Sequence, residues 1–354
     1  MRLLGCNLYF SIWVCLHNAD STTQGKLSVA IQAKYEKESP MLKAGFIGAG
    51  GRGQSAHYPN VARLEQVEMA AVCELDETRL GQVVERYGFA HTFSDHRKML
   101  DQVDPDLVYC VMNEKWVLEP ALDCLKAGKD IFIEKPPGAN SDETRQLLEA
   151  ARANNVWAMV GFQRRYAAVT RQAMSIVAAK GPVSLVNTTF NKQILGDGEE
   201  FTTTLWNDVC HVVDLVRYMA GGEAVEVTAY RDKFGSSNRN HYTALVRFDN
   251  EATGVVFGNR ASGGRVLRSE LHGVGIGCYM KLPEEIEIYE DNQRRTMAGW
   301  EVDGVDQGDV DRYEGVLDMH EHFVDCVINR TQPNSDLRDV IHSIELVDQI
   351  EGVQ

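Results

Sequence analysis

Ala44-Gly45-Phe46-Ile47-Gly48-Ala49-Gly50-Gly51-Arg52-Gly53 runs from an apolar stretch straight into a glycine-rich turn. The pattern predicts strand, tight turn and helix: Gly48 permits the turn, Gly50 lets backbone approach a pyrophosphate, and Gly53 lets the helix pack closely on the strand. Gly51 and Arg52 lie in the same turn and are expected to share the contact with the cofactor. A bound anion would sit at the helix N-terminus, where unpaired N–H groups and the helix dipole favour negative charge. A second apolar stretch, Val67-Glu68-Met69-Ala70-Ala71-Val72-Cys73, ends in Glu74, about twenty residues beyond the last glycine. A carboxylate there can accept hydrogen bonds from both adenosine ribose hydroxyls and would repel a 2′-phosphate, so NAD is expected in preference to NADP. Arg79, close by in sequence, softens that preference.

With 354 residues, 44% of them hydrophobic and 25% charged, the chain has the size and make-up of a two-domain globular protein. A formal net charge of −15 argues against nucleic acid or an anionic membrane surface as partner, because either would repel it. The eight cysteines show neither a Cys-x-x-Cys pair nor a His/Cys cluster at ligand spacing, which predicts reduced core thiols and no bound metal. Residues 1–40 carry the apolar run Leu8-Tyr9-Phe10-Ser11-Ile12-Trp13-Val14-Cys15-Leu16 behind a single basic residue, Arg2. The run is too short to span a bilayer as a helix, and His17-Asn18-Ala19 lacks the small residue expected before a signal-peptide cleavage site. Alternatively Met41 is the working start, since Met41-Leu42-Lys43 enters the first strand at once. Under either reading residues 1–40 lie outside the fold. The protein is expected to be cytoplasmic, or exported if the run is a signal peptide.

From 41 to 162 the sequence alternates short β-branched runs, at 43–47, 67–73, 90–93, 106–112, 130–133 and 156–160, with amphipathic stretches at 51–64, 76–87, 95–102, 116–127 and 141–154. That alternation predicts an α/β Rossmann domain, a parallel sheet covered by helices begun by caps such as Asp76, Ser94 and Ser141. Residues 163–354 read differently, with helices near 166–179 and 205–220, then strands at 183–190, 224–234, 241–248, 253–259 and within 265–290, and closing helices near 314–329 and 337–350. Strands in succession imply a mixed, largely antiparallel sheet with helices, an α+β domain for substrate and assembly.

Ile131-Phe132-Ile133-Glu134-Lys135-Pro136-Pro137 places an ionisable pair at the carboxyl edge of the parallel sheet, where such sheets bind ligands. The two prolines stiffen the exit from the strand. Desolvation beside a cationic nicotinamide ring favours a neutral amine, which suits proton exchange with a substrate hydroxyl. With the glycine turn, Ala127-Gly128-Lys129, Glu134-Lys135-Pro136, Gly161-Phe162-Gln163-Arg164-Arg165-Tyr166 and Asp208-Val209-Cys210-His211-Val212-Val213-Asp214, the chain resembles the glucose–fructose oxidoreductase, inositol dehydrogenase and rhizopine-catabolism (Gfo/Idh/MocA) family of NAD(P)-dependent oxidoreductases. The resemblance runs from about Met41 to the end. It implies a catalytic lysine at Lys135 and a catalytic-site histidine at His211, with Glu134 and Lys135 also beside the cofactor. It further implies a small sugar, cyclitol or related polyol as substrate, and a homo-oligomer, dimer or tetramer, joined through the second sheet.

Two departures from the family pattern stand out. Many members hold an acid four residues before the histidine, where this chain has Asn207; Asp208 is adjacent, and either could orient the imidazole from its place on a helix. Many also carry a Pro-Asn turn and a histidine where this chain has Asn113-Glu114-Lys115-Trp116-Val117. Of the arginine pair, Arg165 is the candidate to grip a polar substrate, together with Asn207 and His211. Asp214 is read as a charge partner of His211 or a solvated helix residue, and His320 and His322 as an ordinary helix face rather than a metal site. The expected chemistry is hydride transfer between nicotinamide and a carbinol carbon. Its rivals are a lyase or glycosidase of the same fold with transient oxidation, and a non-catalytic dinucleotide sensor.

Overall fold

β-Branched and aromatic runs of four to seven residues suit strands buried on both faces. In the computed structural model, which describes residues 41–196, 202–302 and 305–352, they form them. Strands β1 (Leu42–Ile47), β2 (Val67–Cys73), β3 (His91–Phe93), β4 (Leu107–Cys110), β5 (Asp130–Ile133) and β6 (Ala158–Val160) make one sheet in the order β3-β2-β1-β4-β5-β6. Every pairing in it is parallel. This is the doubly wound dinucleotide-binding order. The expectation about residues 1–40 lies outside the described residues.

The helices fall where the amphipathic stretches are, with two corrections to their starts. Asp76 caps Glu77–Tyr87 as expected, but Asp95 rather than Ser94 accepts the N–H of Arg97, and Asn140 rather than Ser141 accepts that of Glu143. In each case the carboxylate or amide reaches the free N–H groups of the first turn. After the glycine turn the chain makes a π-helical turn, Gly53–His57, before the short α-helix Tyr58–Val61.

The second sheet has the order β14-β13-β12-β11-β7-β10-β9-β8, from β7 (Val183–Gln193), β8 (Ala224–Asp232), β9 (His241–Phe248), β10 (Thr253–Asn259), β11 (Ala261–Gly273), β12 (Ile276–Lys281), β13 (Glu285–Glu290) and β14 (Gln293–Ala298). Only β7 and β10 pair in parallel; the rest are antiparallel. The region expected to hold strands less distinctly, 265–290, is three strands, and β14 beyond it was not anticipated. Helix Cys210–Ala220, apolar almost all round, is buried under this sheet.

The division at residue 162 follows the order of the sequence and not the packing. Val316, Leu317, Met319, Phe323 and Val324, of the helix Val316–Asn329, belong to the same core as Phe46, Tyr109 and Phe132 of the first sheet. Ser335 and Asp336 also bond to β6. Among the described residues no helix is long and apolar enough to cross a membrane.

Candidate active site

A cleft of about 1370 Å³ runs along the carboxyl edge of the first sheet and against the second. It exceeds the roughly 300–1,000 Å³ of a drug-sized ligand site, as a dinucleotide with a substrate beside it requires. At its β1 end lies the glycine turn. Gly48 has φ +95°, and a Cβ there would come within 2.5 Å of the Val111 carbonyl oxygen, so only glycine fits. Cβ atoms at Gly50 or Gly51 would meet nothing within 4 Å, which leaves an open cradle above the backbone of the kind a pyrophosphate needs. Gly53 differs from its expected role, because a methyl there would make ordinary contacts at 3.5 Å or more. Glu74, at the tip of β2, accepts the Ala49 N–H at 2.6 Å and those of Leu75 and Asp76 at 2.9 and 3.0 Å, so its carboxylate stands against the turn. These residues fit an NAD-type cofactor.

Further along the edge, Glu134 and Lys135 leave β5. Glu134 is buried; burial works against its charge, but the bond to His57 and the charges of Lys135 and Arg52 hold the carboxyl below its usual range. His57 links Glu134 Oε2 to His320 Nε2, at 3.0 Å on each side, in a fully buried line. His320 is fully buried: the helix Val316–Asn329 turns it into the core behind the site. Lys135 Nζ donates to the backbone oxygen of Asn207 at 2.5 Å, which ties the end of β5 to the π-helical turn Leu205–Val209 across the cleft.

His211 lines the cleft from the second domain, 9% exposed, with Phe162 packed edge-on to its ring and with Nδ1 unpartnered. Burial, then the charges of Lys135, Arg164, Arg52 and Lys192, depress its pKa well below the ordinary histidine value, so the imidazole is neutral. Asp208 and Asn207 sit in a π-helical turn, Leu205–Val209, just before it. Asp208 does not orient the imidazole, because its carboxylate is held by Lys192 and Arg260, each at 2.8 Å.

The described site therefore runs, from β2 to the second sheet, as a carboxylate at a strand tip, an open glycine cradle, a lysine at a strand end and a neutral histidine. Residues 42–162 match the family model for the GFO/IDH/MocA oxidoreductase family with NAD-binding Rossmann fold, and residues 157–275 match that of the GFO/IDH/MocA C-terminal domain. The chain belongs to the Gfo/Idh/MocA family. It is 29% identical over 198 residues to an inositol 2-dehydrogenase of Rubrobacter xylanophilus, covering 54% of this chain and 55% of that one. It is also 29% identical over 139 residues to a D-glucoside 3-dehydrogenase of Escherichia coli, covering 39% and 40%. The chain thus spans about half the length of the curated relatives it matches. A solved dehydrogenase of Chromobacterium violaceum shares the fold, with TM-score 0.81 at 18% identity over 89% of this chain and 96% of that one.

Within this Gfo/Idh/MocA site the arginine pair is reversed from expectation. Arg165 is fully buried away from the cleft, bonded to Asp214 at 2.5 and 2.8 Å, to Asp339 at 2.6 Å and to the Asn334 carbonyl oxygen at 2.8 Å. It holds the fold: four of its five N–H donors are taken by these partners, and it does not line the cleft. The same contacts assign Asp214, which pairs with Arg165 and Ser343 and is neither a partner of His211 nor solvated. Arg164 is the member of the pair that faces the cleft, with Lys192 and Arg265 beside it. Neither Lys192 nor Arg265 belongs to a local motif. They meet because β7 and β11 pair with a shift of register opposite residues 262–265, so a periodicity-2 reading of either strand alone cannot find them.

Proposed function

We propose that the protein is an NAD-dependent oxidoreductase that moves a hydride between nicotinamide and the carbinol or carbonyl carbon of a sugar, cyclitol or related polyol. The observation that carries it is the meeting of Lys135 and His211 across the cleft from the glycine cradle. Bound NAD supplies the hydride acceptor, and the chain supplies binding and proton transfer. Gly48, Gly50, Gly51, Arg52 and Gly53 form the pyrophosphate end, and Glu74 accepts from the ribose, which favours NAD over NADP. Lys135 exchanges the hydroxyl proton, its Nζ fixed by the Asn207 carbonyl. His211, neutral and with Nδ1 open, serves as its partner in that exchange or as the second acid/base. Relatives named for inositol and D-glucoside support the polyol class.

A second copy of the chain is the proposed partner. Tyr230, Leu245, Phe257, Tyr279 and Tyr289 lie 38–68% exposed on the second sheet, where a soluble monomer rarely leaves so much apolar surface. NAD with a panel of sugars and polyols, read by NADH absorbance, tests the activity. Turnover with at least one member is expected, and binding of NAD without any turnover would refute it.

A further inference from the structure

At the second-domain end of the cleft stands a buried cation without a partner. Arg164 is 8% exposed, and among the described residues none hydrogen-bonds or ion-pairs its guanidinium; Nη1 is buried and unpartnered. Arg165 next to it shows the usual solution, two carboxylates on one guanidinium. Glu314 and Glu284 act on Arg164 only through space, and neither lines the cleft. Burial pushes its pKa down to about 10, still charged at neutral pH. Retaining an unpaired buried charge is costly to a fold and is expected only where a ligand supplies the counter-charge. Two further polar atoms on the same wall are buried and unpartnered, Gln163 Oε1, an acceptor, and His211 Nδ1. From Lys135 onward the cations Lys135, Arg164, Lys192 and Arg265 face only the carboxylates Glu134 and Asp208, both already paired.

Strand order says whose anion Arg164 meets. The ribose carboxylate lies at β2, the glycine cradle at β1 and Lys135 at the end of β5, while Arg164 follows β6, the last strand of the sheet. Strands are about 4.8 Å apart, so the strand that leads to Arg164 lies roughly three spacings from β1, with β5 and Lys135 between them; of the glycine turn, the Arg52 side chain, which also reaches Glu134, acts on Arg164 through space. Resting on the oxidoreductase reading above, we propose that the substrate is an anionic polyol, a sugar acid or related hydroxy acid, whose carboxylate is gripped by Arg164 with a hydroxyl donated to Gln163.

Matched pairs test this: D-glucuronate against D-glucose, and D-gluconate against D-glucitol. Each is measured by melting-temperature shift with and without NAD, and by NADH formation. The acids are expected to raise the melting temperature more than their neutral partners and to show KM values at least about tenfold lower. In Arg164→Met the acid advantage should vanish, with KM for the acid raised about thirtyfold or more. NAD affinity should stay within about twofold, and Arg164→Lys should recover part of the preference. The Met variant should melt no lower than wild type, because it removes an unpaired buried charge. Neutral members favoured over the acids, neither acid shifting the melt, or an acid preference that survives in Arg164→Met would each overturn the proposal. Loss of NAD affinity in Arg164→Met would do so too, by assigning the guanidinium to the cofactor's phosphates. Should wild type not bind NAD, the oxidoreductase reading fails separately, and the melting shift without NAD still decides the anion site.

Discussion

The proposed cofactor end and the proposed substrate end of the cleft are built by opposite means. At the first, each residue stands in a short motif at a strand end: Gly48 to Gly53 in the turn after β1, Glu74 after β2 and Lys135 after β5. At the second, Arg164, Lys192, Asp208, His211 and Arg265 come from five separate elements, brought together by sheet register and by a π-helical turn. A local motif survives as a unit in the sequence, whereas a wall assembled across strands leaves no spacing to read. The comparison also separates two uses of charge. Arg165 is buried and paired to hold the fold; Arg164 is buried and unpaired.

The sharpest break at the cofactor end is Lys135→Ala. Losing a general acid/base should lower kcat by about a hundredfold to ten-thousandfold while NAD titration stays near wild type. Steady-state kinetics beside a binding titration would separate the two effects. A comparable loss, but in stability, is expected for Arg165→Met, which strands Asp214 in the core; removing one partner of a buried pair costs about 3–5 kcal/mol, measurable by urea unfolding. The contrast with Arg164→Met, which should not destabilise, tests the division between the two arginines.

Within the glycine turn the predicted effects are smaller and graded. Gly48→Ala forces a side chain into a left-handed conformation against the Val111 carbonyl and should cost about 1–3 kcal/mol with weakened NAD binding. Gly53→Ala, with contacts no closer than 3.5 Å, should leave both near wild type. Calorimetric melting of the two variants, with and without NAD, checks this pair.

The smallest effect is on pH. His211 and His320 both have pKa values depressed well below the ordinary one, first by burial and then by neighbouring charge. Below about pH 6.5 the unfolded chain takes up protons that the folded chain does not, so stability present above that pH falls as pH drops, by up to about 1.4 kcal/mol per pH unit for each histidine. Urea midpoints at pH 7.5 and 5.5 should differ in that sense, and His320→Gln should shrink the difference.

Much of the first region was legible because its physics is local. The strand runs, the Asp76 cap and the glycine turn each follow from neighbouring residues. Errors arose where a choice depended on geometry beyond the helix turn: Ser94 and Ser141 lost to Asp95 and Asn140, which lie one residue earlier or later at the helix mouth. In Arg164-Arg165 the two side chains point to opposite sides of a 3₁₀ turn, and nothing in the sequence says which reaches Asp214, forty-nine residues on. His57 and His320 meet 263 residues apart, and only the return of the helix Val316–Asn329 to the first sheet brings them together.

On the proposed function, net hydride transfer takes place at the Lys135–His211 end of the cleft. Its most direct measurement supplies the protein with NAD and a substrate from the polyol or sugar-acid panel carrying deuterium on each carbinol carbon, and weighs the cofactor by mass spectrometry. NADH one mass unit heavier than normal is expected, formed in step with oxidised substrate and slowed at least about a hundredfold in Lys135→Ala. Conversion of substrate with no NADH released, or NADH without deuterium, would contradict it.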